Sequence, residues 1–252
     1  MVENWKEFSV SIVAAPPDTR IYAIGDIHGR LDLLKEMHRY ICEDAASAEG
    51  RDIAIIYLGD YIDRGPASSQ VVEYLIEEPL KCGSSHTEIK FIKGNHEDSL
   101  LRFVGREENG EAWFANGGME TLKSYGVELP SPHWQHDMKA VQKKFVSKLP
   151  KTHLAFYHNL RNYFEYGDYL FVHAGIRPNI ELADQNPMDL NWIREPFLSS
   201  EVNHGKYVVH GHSINSDPDI QTSRMGIDTG AYRTGCLTCA IFESKQVRFV
   251  QT

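Results

Sequence analysis

The feature that most constrains this chain is a pattern that occurs five times: an apolar, β-branched run followed at once by a glycine flanked by metal-ligand side chains. Residues 19–24 lead into Gly25-Asp26-Ile27-His28-Gly29, residues 53–58 into Gly59-Asp60-Tyr61-Ile62-Asp63-Arg64-Gly65, and residues 89–93 into Gly94-Asn95-His96-Glu97. Residues 169–172 lead into His173-Ala174-Gly175, and residues 207–209 into His210-Gly211-His212. Read as strands, these runs set a carboxylate, amide or imidazole at each successive strand exit. Ligands of open α/β sheets collect at that carboxyl edge, and glycine lets the backbone turn sharply beside an ion. Such a chain is expected to fold around a metal.

The ligand chemistry is specific. Asp26 and His28 flank Ile27, and residues two apart on an extended strand end point the same way. Asp60 has two oxygens able to bridge two cations, Asn95 offers an amide oxygen, and His173 and His212 offer imidazole nitrogen. Mixed nitrogen and oxygen ligation suits manganese, iron or zinc better than calcium or magnesium.

Between these motifs the apolar period becomes helical. Leu31, Leu34, Met37, His38 and Ile41 mark one helix, and Val71, Val72, Leu75 and Ile76 a second behind Pro66, a residue suited to an early helical position. A shorter helix is expected at 98–104, so the first third reads β-α-β-α-β-α with parallel strands. Residues 111–151 read as a helical, cap-like segment beside the site, with a turn at 126–132 and a helix from Trp134 to Leu149 that Pro150 ends. Strands are expected at 154–164, 169–172, 207–210, 225–228, 236–242 and 246–251, forming a second, mixed or antiparallel sheet packed on the first. No repeat or linker interrupts residues 1–252, which read as a single domain.

The order and wording of the five blocks resemble the calcineurin-like metallophosphoesterases. Within them the chain is similar to the bacterial and phage phosphoprotein phosphatase (Ser/Thr protein phosphatase) branch, whose pattern is GDxHG, GDxxDRG, GNHE and two later histidines. Trp113-Phe114-Ala115-Asn116-Gly117-Gly118, residues 122–126 and Trp192-Ile193-Arg194-Glu195 also resemble pieces of that group, and the resemblance runs from about Arg20 to the C-terminus. It implies an α+β (mixed α/β) fold, a two-sheet β-sandwich flanked by helices. It also implies two divalent ions, manganese first, with iron or zinc compatible. Asp26, His28 and Asp60 would hold one, and Asp60, Asn95, His173 and His212 the other. The family ligand follows the glycine, so His212 is assigned and His210 is read as supporting. Ile214 stands where many other metallophosphoesterases carry a further histidine, which favours the phosphatase branch.

The same resemblance implies a reaction: direct attack on a phosphomonoester by a hydroxide that bridges the metals. His96 would be the general acid, Asp63 the carboxylate that orients it, and Arg64 and Arg194 the phosphate grips. Arg64 is in register with the motif. Arg194 rests on the looser Trp-x-Arg-Glu match, with a surface ion pair as the rival reading, and Arg177 and Tyr232 receive no role. The alternative is a dinucleoside polyphosphate (diadenosine tetraphosphate) hydrolase. Symmetric diadenosine tetraphosphatases resemble this chain but usually carry a small residue at the position of Asp63, and a nucleotide leaving group needs less protonation. A further alternative is a catalytically silent binding protein on the same fold, against which the six ligands and His96 argue.

Composition narrows the partners. A formal net charge of −9 over 252 residues argues against a sequence-independent nucleic-acid binder, which needs Lys and Arg to neutralise phosphates. The expected partner is a phosphorylated protein or a small phosphoester, with neither nucleic acid nor membrane, and no signal points to an oligomeric state. Cys42, Cys82, Cys236 and Cys239 are too few and scattered for a disulfide scaffold, and the CxxC at 236–239 reads as small core residues of a strand. Glu3 and the short apolar stretch at 8–15, stopped by Pro16-Pro17, form neither a signal peptide nor a membrane span, so a cytoplasmic enzyme is expected.

Overall fold

The computed structural model of the chain describes residues 6–9, 13–48, 50–80, 82, 86–105, 110–128 and 138–252. Glu3, residues 10–12 of the N-terminal apolar stretch, and residues 129–137, where part of a turn and the helix start at Trp134 are expected, lie outside that set. Eleven strands and nine α-helices are described, in the order β1 (Lys6–Ser9), β2 (Thr19–Ile24), α1 (Leu31–Ala45), β3 (Asp52–Tyr57), α2 (Ser68–Glu77), β4 (Thr87–Phe91) and α3 (Asn95–Gly105). Then follow α4 (Gly110–Trp113), α5 (Met119–Ser124), α6 (Met138–Lys148), α7 (Lys151–Asn159), β5 (Tyr163–Tyr166), β6 (Tyr169–Val172) and α8 (Pro187–Trp192). The chain closes with β7 (Tyr207–His210), β8 (Asp219–Ile220), β9 (Arg224–Gly226), α9 (Ala231–Thr234), β10 (Thr238–Glu243) and β11 (Gln246–Gln251). No described helix is long and apolar enough to cross a membrane.

Two mixed sheets result, ordered β1-β11-β10-β2-β3-β4 and β5-β6-β7-β9-β8. Each holds a parallel trio, β2-β3-β4 or β6-β7-β9, with antiparallel strands beside it. Strand alternation sorts the core into layers. Tyr22, Ile24, Ile55, Tyr57 and Ile241 face the helices, with Leu34, Met37, Val71 and Leu100 across from them. Ile21, Ala23, Ala54, Ile56 and Phe242 face the second sheet, meeting Tyr169, Phe171, Tyr207 and Val209. The outer face of that sheet, Leu170, Val172 and Val208, is covered by Leu190, Ile193 and Phe197. This is the two-sheet sandwich with flanking helices.

Two expectations need correction. Residues 154–164 are not one strand: Lys151–Asn159 is helix α7, and only Tyr163–Tyr166 is extended. Pro150, in extended backbone, starts that helix, and its carbonyl accepts from the Leu154 amide at 3.0 Å. A short apolar-aromatic run has no period that separates helix from strand. The last two strands also leave the second sheet, because β10 pairs antiparallel with β2 and carries β11 and β1 beyond it. Cys239 lies in β10 on the helix-facing core, whereas Cys236 precedes the strand and is half-buried. Residues 110–128 and 138–148 contribute Trp113, Phe114, Leu122, Val141 and Phe145 to that same core.

Candidate metal centre

The six parallel strands end at one edge of the sandwich, and every exit carries a candidate group: Asp26 and His28 after β2, Asp60 and Asp63 after β3, Asn95 and His96 after β4, His173 after β6, His212 after β7 and Asp228 after β9. None of them is more than 7% exposed. The turns are tight. His28, Asp60, Asp63, Arg64 and His212 adopt left-handed backbone with φ of 45°, 51°, 71°, 67° and 61°, a region that costs a non-glycine residue roughly 1–3 kcal/mol. A Cβ on Gly94 would stand 2.1 Å from Asp60 Oδ1, and one on Gly211 2.1 Å from Asp26 Oδ1, so only glycine allows these approaches.

Two tight groups form around Asp60: His28, Asp60 and His96, and Asp60, His173 and His212, with the potential ligand atoms of each group within 4.8 Å of one another. Asp60 belongs to both, its Oδ2 lying 3.6 Å from His28 Nε2 and its Oδ1 3.4 Å from His173 Nε2. Asn95 Oδ1 completes the second group, at 2.9 Å from both His173 Nε2 and His212 Nδ1. His173 Nδ1 donates to the Leu58 carbonyl at 2.8 Å, and His28 Nδ1 to that of Ile62 at 2.8 Å. Those bonds commit the ring protons and leave each Nε2 unprotonated at the cluster, with that of His28 accepting from Arg64 Nη1. Bare nitrogen facing carboxylate and amide oxygen, with His212 Nε2 buried and unpartnered, fits divalent cations. Asp26 lies outside the two groups but at the same edge, its carboxylate on the His212 amide at 3.1 and 3.3 Å.

The electrostatics agree. Burial pushes the His28, His173 and His212 imidazolium ions down, so the rings are neutral ligands. Burial would raise the Asp60 carboxyl, but attraction to whichever of the surrounding His173, His96, His28 and His212 rings carries a proton outweighs it and holds it low. Burial also raises the Asp26 carboxyl, helped by Asp228 and Asp60 nearby. Excess negative charge of that kind is what a cation relieves.

His96 stands apart from the other rings. Its Nδ1 meets Asp63 Oδ2 at 2.6 Å while its Nε2 faces the cluster, 3.8 Å from Asp60 Oδ2. Burial opposes its charged form, yet Asp60 and the Asp63 hydrogen bond prevail and its pKa moves upward. Around Asp63 the indole Nε1 of Trp113 donates to Oδ2 at 2.8 Å, and the Thr121 hydroxyl to Oδ1 at 2.5 Å.

The two arginines flank opposite ends. Arg64 donates to His28 Nε2 at 3.0 Å and lies over the Tyr232 ring at 4.8 Å. Arg194 is exposed, and its charge disfavours protonation of His173 and His212. Arg177 points elsewhere, into a two-pronged pair with Asp189 at 2.7 and 2.8 Å. His210 is buried but outside both groups, between the Gly211 carbonyl at 3.0 Å and Arg224 Nη1 at 3.3 Å.

Several contributors escaped the sequence reading. Glu97, fully buried, accepts the amides of Asp60, Tyr61 and Gly94 at 2.9, 2.8 and 3.0 Å, joining two motif loops. Asp228 follows β9 just before Gly230, the same strand-exit signal as the other motifs, and its Oδ2 is buried and unpartnered. Tyr232, 5.3 Å from His28 between ring centroids, packs beside Arg64 at the first group. Beyond Trp113 opens a cleft of about 240 Å³ that Ser99, Arg102, Asn116, Met188 and Trp192 also line.

Comparison with known proteins gives the family and the fold. The family model described as calcineurin-like phosphoesterase matches residues 19–238. The bis(5'-nucleosyl)-tetraphosphatase PrpE [asymmetrical] of Bacillus thuringiensis is 27% identical over 239 residues, 85% of this chain and 87% of its own length. The protein of the same name from Oceanobacillus iheyensis is 24% identical over 252 residues, 90% of each. Among solved structures, one described as a proposed diadenosine tetraphosphatase superposes with a TM-score of 0.63 at 19% identity, covering 97% of this chain and 98% of its own. The cold-active protein-tyrosine phosphatase of a psychrophilic Shewanella gives 0.54 at 16%, covering 93% and 80%. Both structural likenesses are likenesses of fold.

Proposed function

The chain belongs to the calcineurin-like phosphoesterase family, and from that membership we propose that this phosphoester hydrolase is a metal-dependent phosphomonoesterase of the protein Ser/Thr phosphatase type. Asp26, His28 and Asp60 would hold one divalent ion, and Asp60, Asn95, His173 and His212 the other. Bound there, manganese, iron or zinc would polarise phosphate oxygens and acidify a water. His96 donates a proton to the departing oxygen, and Asp63 fixes the ring that carries it. Arg64 and Arg194 hold phosphate oxygens from the two ends.

The observation that carries the monoester reading is the His96–Asp63 pair at 2.6 Å, buried beside Asp60. An alkoxide is a poor leaving group and needs an oriented acid, whereas a nucleotide leaves with less help. A second reading, hydrolysis of dinucleoside tetraphosphates, is favoured by the names of the Bacillus and Oceanobacillus relatives. The test is a side-by-side assay with manganese on a phosphoserine peptide, a phosphotyrosine peptide, an aryl phosphate and diadenosine tetraphosphate. The proposal expects kcat/KM to be highest on a monoester and the His96→Asn loss to be greatest on the phosphoserine peptide. A kcat/KM at least tenfold higher for diadenosine tetraphosphate than for any monoester would replace it with the second reading.

A further inference from the structure

Asp63 is held in place by residues outside the two candidate ligand groups. Its carboxylate is wholly buried and receives three donors, His96 Nδ1 and Trp113 Nε1 on Oδ2 at 2.6 and 2.8 Å, and Thr121 Oγ1 on Oδ1 at 2.5 Å. Its own amide is met by the Ser68 and Thr121 hydroxyl oxygens at 3.0 and 2.9 Å, and these two hydroxyls lie 3.0 Å apart. Trp113 and Thr121 lie on either side of the π-type turn Phe114–Gly118. That turn also grips the backbone, since the Gly117 carbonyl accepts from the Arg64 amide at 3.2 Å. Gly117, at φ 104°, has its Cβ direction filled by Arg64 at 2.7 Å.

We infer that Trp113 and Thr121 are positioning residues for the acid: they pin both oxygens of Asp63 so that Oδ2 stays on His96. Trp113 is 1% exposed, with its ring against Phe103 and Phe145 at centroid distances of 4.9 and 5.8 Å. Phenylalanine would serve that packing. The indole adds one thing, a donor that accepts nothing, and it is spent on the carboxylate. Thr121, wholly buried, likewise directs its one hydroxyl proton to Oδ1. Without these donors the Asp63 side chain, on a left-handed turn, has His96 as its sole side-chain donor among the described residues. A positioned proton donor loses its advantage when its geometry loosens.

This inference rests on the assignment of His96 as the acid, and the experiment separates the two. Trp113→Phe, Thr121→Val and the conservative Thr121→Ser are assayed beside His96→Asn on a phosphoserine peptide and on a nitro-substituted aryl phosphate. Manganese content and melting temperature are measured on each. Trp113→Phe and Thr121→Val should each lower kcat on the peptide by roughly 10–100-fold and on the aryl phosphate by less than about threefold, and Thr121→Ser should restore most of the loss. Losses of equal size on both substrates, or none, overturn the inference while a leaving-group-dependent defect in His96→Asn leaves the acid standing. A leaving-group-independent defect in His96→Asn removes both. If Trp113→Phe does not fold, the contrast of Thr121→Val with Thr121→Ser decides.

Discussion

Asp60 is the one side chain common to both candidate ligand groups, so in the proposed site its loss would reach both ions. Asp60→Asn should deplete metal at both positions and lower activity by more than the roughly 10–100-fold that loss of a mere outer-shell partner costs; metal analysis of the purified variant checks this, and retention of two ions per chain would refute the shared-ligand geometry. Arg64 and Arg194 differ in exposure, and their substitutions should differ too. Removing a charge-assisted grip whose partner stays buried costs about 2–5 kcal/mol, so Arg64→Ala should reduce kcat/KM at least tenfold, and exposed Arg194→Ala should do less. Lysine at position 64 should recover only part, because it lacks the two-pronged fork. Wild-type kinetics in Arg194→Ala would return that residue to a surface role. The cluster-forming residues were legible because imidazoles and carboxylates at strand exits are chemically conspicuous. Trp113 and Thr121 were not: a Trp and a Thr in helical segments look like ordinary packing until the fold brings residues 113 and 121 onto 63.

At the scale of elements, helices α1 and α2 are fastened to strand β3 through a buried imidazole. His38 on α1 meets the Tyr57 hydroxyl of β3 at 2.7 Å and the Tyr74 hydroxyl of α2 at 3.2 Å. Burial depresses its pKa to about 4, against about 6.5 in the unfolded chain. The folded pKa is the lower one, so the contribution is complete above pH 6.5 and is lost as pH falls through about 4. The difference amounts to on the order of 3 kcal/mol. Thermal melts of wild type and His38→Gln between pH 7 and 4.5 should converge toward the acid end, and parallel pH profiles would show that His38 is not the sensor. Periodicity revealed both helices, since their stripes are long. It misread residues 154–164, where a short aromatic run begins at a proline that starts a helix.

For the whole molecule, the candidate ligands come from both sheets: Asp26, His28, Asp60 and Asn95 from one, and His173 and His212 from the other. Metal bound at that edge ties the two layers of the sandwich together. At 100-fold excess over Kd each ion adds about 2.7 kcal/mol, so loading both positions with manganese should raise the melting temperature of chelated protein by roughly 10–20 °C, and loading one by about half as much. Hydrogen exchange should slow at the exits of β3, β4, β6 and β7. An unchanged melting temperature would mean that no ion spans the sheets. The sandwich itself was expected, but the destination of the last two strands was not. Local pattern shows that β10 and β11 are strands, whereas which sheet they join depends on edge pairing with β2, a contact more than two hundred residues away in sequence.

Of the eight non-glycine residues with left-handed backbone among those described, five are His28, Asp60, Asp63, Arg64 and His212. Glycine relieves that backbone conformation, while the chemistry proposed for this edge forbids it. Selection for a sturdier fold and selection for the reaction therefore pull these codons in opposite directions.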